Sequence, residues 1–295
     1  MITTRFKKPL LVDLRDITEQ WGTTSYMLNS ISNQGRIGSF LTNLYIRKTT
    51  RQRNGILRQA KLVTTVSNWH QNVLKQYNSQ THLIYNGYDP DTYVFKPITT
   101  NQFIISYIGR IYDFRSRNPH IFLQAIKQLK STKNTIVNDI KIIFHIENDL
   151  IAPLSALVQK YEIQDLCSIS GYIPRQEAID LLQKSAISLI FNETTDSTNM
   201  HGIMTTKFFE ALGCEKPILC TPSETEELAE TIRQTNAGLA SSDIQEIKDF
   251  ILNKYREWQQ QGYTRQAVIN KEQFSREKQA QQFEQLFREV RTLRC

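Results

Sequence analysis

No stretch of this 295-residue chain approaches the run of apolar residues that a membrane span requires. The N-terminus, Met1 to Lys8, has no apolar segment behind its basic residues of the kind that marks a secretory signal. These two absences point to a cytoplasmic protein. There is no CxxC pair: Cys167, Cys214, Cys220 and Cys295 are scattered and sit mostly in apolar runs, so packed free thiols are expected rather than disulfides or a zinc site. Neither a metal nor a resident cofactor is expected. There is no low-complexity tract and no internal repeat. Hydrophobic residues at 40% and charged residues at 22% are ordinary values for a folded, globular chain. Lysine and arginine outnumber the acids by 36 to 29, which favours anionic partners. No recognisable nucleic-acid-binding module accompanies that excess, so nucleic acid is not expected among them.

From Phe103 onward, short apolar runs alternate with segments of helical period, the pattern of βαβ units around a parallel sheet. Strands are expected at 103–108, 140–146, 166–170, 187–191 and 217–220. Helices are expected at 119–130, 152–161, 175–184, 205–212 and 223–235, then at 243–261 and 275–290. Before Phe103 the style is similar but sparser, with strands at 9–14, 62–66 and 81–85 and helices at 36–60 and 69–77. The turn-rich stretch Asn86 to Asp91, followed by Lys96-Pro97, marks a boundary. The expected organisation is a partial Rossmann-like domain over 1–97, a doubly wound parallel-sheet domain over 98–275, and a last helix over 276–295 that crosses back to the first domain. Three strands make a thin first domain, which reads as the tail end of a larger one.

The basic excess is uneven. Between Arg47 and Lys61 lie six basic residues and no acid, on an expected helix. Two readings stand: a solvated helix face, or a surface for peripheral contact with a membrane or a phosphorylated acceptor.

Four short stretches carry the chemistry. Leu83-Ile84-Tyr85-Asn86-Gly87-Tyr88-Asp89 ends a strand in an Asn-Gly turn, which tolerates positive φ. Ile108-Gly109-Arg110 ends a strand in glycine, and Arg115, Arg117 and Pro119 follow at a helix start, so guanidinium groups stand where a diphosphate could be held. Ser170-Gly171-Tyr172-Ile173-Pro174 is a turn at the carboxyl edge of the sheet, where open α/β sheets bind ligands. Finally, Gly202-Ile203-Met204-Thr205-Thr206-Lys207-Phe208-Phe209-Glu210 feeds a glycine-bearing loop into a helix N-terminus and sets a carboxylate in an apolar helix, where it needs a partner.

In this order and spacing, the stretches resemble the donor-binding domain of GT-B glycosyltransferases, in particular the family 4 and group 1-like branches. The resemblance implies a hexosyltransferase-class enzyme that moves a sugar from a nucleoside-diphosphate sugar to a saccharide or lipid-linked acceptor, as in polysaccharide or glycoconjugate biosynthesis. It implies that Arg110, Arg117, Arg115, Lys207, Thr205 and Thr206 hold the donor diphosphate and that Glu210 holds the ribose. It also puts Tyr172 and Ile173 at the base, and Asn199, His201, Gly202 and Ile203 in a loop beside the donor sugar.

The chain departs from the family pattern at Arg117, where Lys is commoner, and in three further places. Where many members carry a second Glu beside the donor sugar, this chain has Gly202. After the strand at 140–146, His145-Ile146-Glu147-Asn148 replaces a Gly-rich turn. Before Phe103 no Gly-rich loop follows a strand and opens a helix, so the acceptor domain is expected to be incomplete in this chain. That leaves a second reading, a non-catalytic nucleotide-sugar-binding subunit whose first domain a partner chain completes. No catalytic residue is assigned.

Overall fold

A computed structural model describes residues 8–21, 35–114, 117–132, 135–192 and 201–292. The chain divides into two compact units. One comprises 1–86, 198–204 and 277–295; the other comprises 87–197 and 205–276.

The first unit is built on a three-stranded parallel sheet, β1 (Leu11–Leu14), β2 (Leu62–Thr65) and β3 (Thr81–Leu83), with β2 in the centre. Leu11 pairs with Leu62, and Val63 with Thr81. A parallel sheet needs cover on both faces, and this one has it. On one face Val63 packs with Ile17, Leu57 and Leu74, which come from the loop after β1, α1 (Gly35–Gln59) and α2 (Asn68–Lys75). On the other, Leu62 and Ile84 pack against Leu286 and Val290 of the C-terminal helix α9 (Arg276–Thr292). Ser67 caps α2 by accepting a hydrogen bond from His70 N at 3.1 Å.

The second unit is a six-stranded, wholly parallel sheet of β4 (Phe103–Ile108), β5 (Ile140–His145), β6 (Cys167–Ser170), β7 (Ile187–Phe191), β8 (Ile218–Thr221) and β9 (Gly238–Ala240). The spatial order is β6-β5-β4-β7-β8-β9, the 3-2-1-4-5-6 arrangement of doubly wound nucleotide-binding domains. The connecting helices are α3 (His120–Ser131), α4 (Ile151–Lys160), α5 (Arg175–Lys184), α6 (Thr206–Gly213) and α7 (Glu227–Gln234). Helix α8 (Ile244–Gln261) starts on the Asp243 side chain, which accepts from Glu246 N, and stops at Gly262 with φ 78°. β7, buried at every position, reads Ile-Ser-Leu-Ile-Phe, the near-continuous apolar run of a strand covered on both faces. Tyr107 stacks on Phe191 at 4.8 Å beneath the carboxyl edge.

The expected elements all lie within a few residues of the observed ones, with two differences. Helix α7 begins at Glu227, four residues late, because the Glu226 carboxylate accepts from Ser223 Oγ and Glu224 N and holds that stretch as a turn. Strand β9 was not anticipated: Gly-Leu-Ala has no β-branched residue, and it pairs because Gly238 lets the chain lie directly against the Ile218 backbone. Residues 87–97, expected with the first domain, group with the second unit. Tyr88 exchanges backbone hydrogen bonds with Phe274 and Arg276, and both Tyr88 and Tyr93 pack where any side chain at Gly213 would stand.

Glu215, at φ 51°, ties the start of β8 to the segment after α8, accepting from Arg265 Nε at 2.6 Å and Lys271 Nζ at 2.5 Å. Burial pushes its carboxyl up, but these two cations outweigh burial and hold it below the usual carboxylate value. A depressed folded value means stability that is present above the unfolded value and lost as pH falls through the folded one. Glu215→Ala is expected to lower stability by about 2 kcal/mol, less than a fully buried pair because Arg265 is largely exposed. Denaturant midpoints at neutral and acid pH check this, since the variant and the parent should converge in acid.

Candidate active site

At the point where the strand order reverses, between β4 and β7, a cleft of about 190 Å³ is lined by Ser106 and Ile108 of β4, Ser188 and Leu189 of β7, Ala178, Ile179 and Leu182 of α5, and by Tyr93, Arg175, Lys207 and Glu210. Open α/β sheets bind ligands at such a switch point.

Lys207 and Glu210 lie one turn apart on α6, and both face this cleft. Lys207 passes over the Tyr107 ring, its Nζ 4.9 Å from the ring centre. Its chain also runs so close to Gly109 that a Cβ there would stand 2.8 Å from Lys207 Cε, and Gly109 has φ 124°. This is the physical content of the strand-end glycine: it lets the lysine cross the edge of the sheet. Gly109→Ala is expected to displace Lys207 and weaken any anion binding there at least tenfold, which a nucleotide titration checks. Burial, and then the nearby Arg117 guanidinium, push the Lys207 ammonium down to about 8; Glu210 and Glu147 partly oppose the shift.

Glu210 Oε1 accepts from the Tyr93 hydroxyl at 2.8 Å. Burial raises its carboxyl, partly offset by Tyr93, Lys207 and Arg175. The partner that a carboxylate on this apolar helix requires is thus supplied in part by the linker tyrosine. Tyr93 and Arg175 were missed by sequence reasoning: a lone linker tyrosine and the first residue of a helix carry no motif.

The other anticipated residues distribute unevenly. Arg110 lies at the carboxyl edge, where its Nε donates to the Tyr172 hydroxyl at 3.2 Å and its guanidinium stands 5.7 Å from the Tyr112 ring centre. Both Arg110 and Tyr172 are exposed, and neither lines the cleft. Ile173 is half-buried beside Tyr172. Thr205 is the N-cap of α6 without a side-chain cap hydrogen bond, and Thr206 is its exposed first residue, so the helix start is not closed by either hydroxyl. Arg115 and Asn199 lie outside the described residues. His201, Gly202 and Ile203 belong to the first unit. There His201 stacks on Trp69 at 5.2 Å, and Gly202, at φ 69°, sits where a Cβ would meet Ser67 Oγ at 2.7 Å.

The turn after β5 accounts for its departure from the family pattern. His145 Nδ1 lies 2.9 Å from Gly171 O and 3.1 Å from Ser170 Oγ, and the Asn148 carboxamide fills the space that a Cβ on Gly171 would need. Glu147 accepts from Ile111 N at 2.9 Å and Tyr112 N at 2.7 Å. Side chains here brace the loops after β4 and β6, a task that a Gly-rich turn could not perform. Among the described residues there is no cluster of His, Cys, Asp or Glu that could hold a metal ion.

A family model described as glycosyl transferase-like matches residues 117–285, more than half of the chain. The chain belongs to this glycosyltransferase family. Solved structures agree on the fold. A sucrose-phosphate synthase from Thermosynechococcus elongatus superimposes with a TM-score of 0.63 at 17% identity, over 99% of this chain and 71% of that one. The Anabaena protein Alr3699/HepE in complex with UDP gives 0.64 at 18%, over 97% and 74%. A glycosyltransferase from Rickettsia africae gives 0.63 at 14%, over 98% and 78%. These are GT-B proteins, and the two parallel-sheet units described above are of the same kind. No curated protein sequence matches the chain.

Proposed function

We propose that the second unit binds a nucleoside-diphosphate sugar and that the enzyme transfers its sugar to a saccharide or lipid-linked hydroxyl. The observation that carries this reading is the pairing of Lys207 and Glu210 in one cleft at the switch point: a cation for a diphosphate and, one turn further, a carboxylate for a ribose. The HepE structures that share the fold include complexes with UDP and with UDP-glucose. On this reading Lys207, Arg117 and the open start of α6, with Thr205 and Thr206, receive the diphosphate. Arg110 flanks it from the edge, held by Tyr172. Glu210 accepts from the ribose hydroxyls, and the turn Tyr172-Ile173 meets the base.

Transfer breaks the bond from the anomeric carbon to the diphosphate oxygen and forms one to the acceptor oxygen, whose proton passes to the departing diphosphate or to solvent. Negative charge grows on the leaving diphosphate, so fixed cations there lower the barrier. Thermal unfolding with a panel of UDP, GDP, ADP and dTDP tests the binding reading. The best ligand is expected to raise the midpoint, and the rise should shrink in Arg110→Ala, Arg117→Ala and Glu210→Ala. If no nucleotide stabilises the protein, or if all three variants respond as the parent does, the assignment is wrong. Release of nucleotide from the matching sugar donor, with and without acceptor, separates a transferase from a binding subunit.

A further inference from the structure

From Gln20 to Tyr88 the sequence contains eight lysines and arginines and not one aspartate or glutamate, which more than accounts for the net charge of +7. Helix α1 lies within this stretch. Leu57 of α1 is buried, and Arg53 is held by Glu19 through two hydrogen bonds of 2.7 and 2.6 Å. The helix face away from that contact is different in kind. Phe40, Leu41, Leu44 and Tyr45 are 63%, 55%, 47% and 53% exposed. One to two turns further along, Arg47, Lys48 and Arg51 are exposed and have no ion-pair partner among the described residues. At 100° per residue, Phe40, Leu44, Arg47, Lys48 and Arg51 project within one 100° sector. The face therefore presents a cluster of large apolar side chains followed by a cationic patch.

An exposed aromatic and aliphatic cluster of this kind marks an interaction site. Its continuation into uncompensated positive charge selects the partner: a surface that is apolar within and anionic at its boundary. We infer that the exposed face of α1 from Phe40 to Arg51 is a membrane-docking element. Phe40, Leu41, Leu44 and Tyr45 enter the interface of an anionic phospholipid bilayer, while Arg47, Lys48 and Arg51 contact its headgroups. The inference stands on the first unit alone and is independent of the donor reading.

Co-sedimentation with vesicles of phosphatidylcholine, with and without about 30% phosphatidylglycerol, tests it on the whole chain. Binding is expected to the anionic vesicles, with affinity falling as salt rises. At roughly fivefold per cation near the surface, Arg47→Gln, Lys48→Gln and Arg51→Gln combined should weaken binding by about 100-fold. Phe40→Ser with Leu44→Ser should abolish stable attachment while leaving salt-sensitive weak binding. The substituted positions are exposed, and thermal unfolding confirms that the variants are folded. Equal binding to both vesicle types, no binding to either, or unchanged binding by both variants would overturn the inference. So would a concentration-dependent dimer that Phe40→Ser with Leu44→Ser dissociates while vesicles are ignored, since that would make the face a contact between copies.

Discussion

Replacing Lys207 by alanine is expected to lower the turnover of sugar transfer by about 100- to 1,000-fold, the range observed when one preorganised charge-stabilising group is removed from an active site. The geometry leaves little to substitute for it. The ammonium is held by the Tyr107 ring and by the glycine at 109 that admits it, so on the proposed reading it is in place before the diphosphate departs. Arginine at 207 should not rescue activity, because the planar guanidinium cannot thread the space over Gly109. The same residue gives a pH signature. Its ammonium titrates at about 8 in the free protein, and a bound diphosphate favours the charged form. Below pH 8 the site is already cationic. Above it, binding must take up a proton, and nucleotide affinity should fall by up to tenfold per pH unit. Calorimetry between pH 7 and 10, in buffers of different ionisation heat, reads both the decline and the proton uptake. A flat profile for the parent, or a sloping one for Lys207→Ala, would sink the assignment.

Glu210→Ala should weaken the nucleotide by about 10- to 100-fold, the value of one or two hydrogen bonds to a charged acceptor. Because Glu210 also accepts from Tyr93, loss of affinity alone would not separate a ribose contact from a prop. Two comparisons do. Tyr93→Phe removes the internal hydrogen bond, leaves the carboxylate, and should bind nucleotide nearly as the parent does. A 2′,3′-dideoxy nucleotide should bind the parent weakly and Glu210→Ala no worse. If the variant still loses 10-fold or more on the dideoxy ligand, the carboxylate acts through structure, and the ribose assignment falls.

What the sequence by itself determined was the material of the fold and the position of α6. Period-2 and period-3.6 patterns place strands and helices because each element must turn an apolar face inward, and that demand is written locally. The carboxylate at 210 was also legible, since an acid between Phe209 and Ala211 conflicts with its neighbours unless something answers it. Only the tertiary structure decided which residues meet. Tyr93 reaches Glu210 across 117 positions of sequence, and the Glu147 carboxylate reaches the amides of Ile111 and Tyr112 across 36 and 35. No local pattern encodes such pairs; they follow from the β6-β5-β4-β7-β8-β9 order, which brings the ends of distant strands to one edge. The same holds for His201 and Gly202. Packing sets this loop against Trp69 and Ser67 in the first unit, because a glycine with positive φ can settle there and a side chain could not.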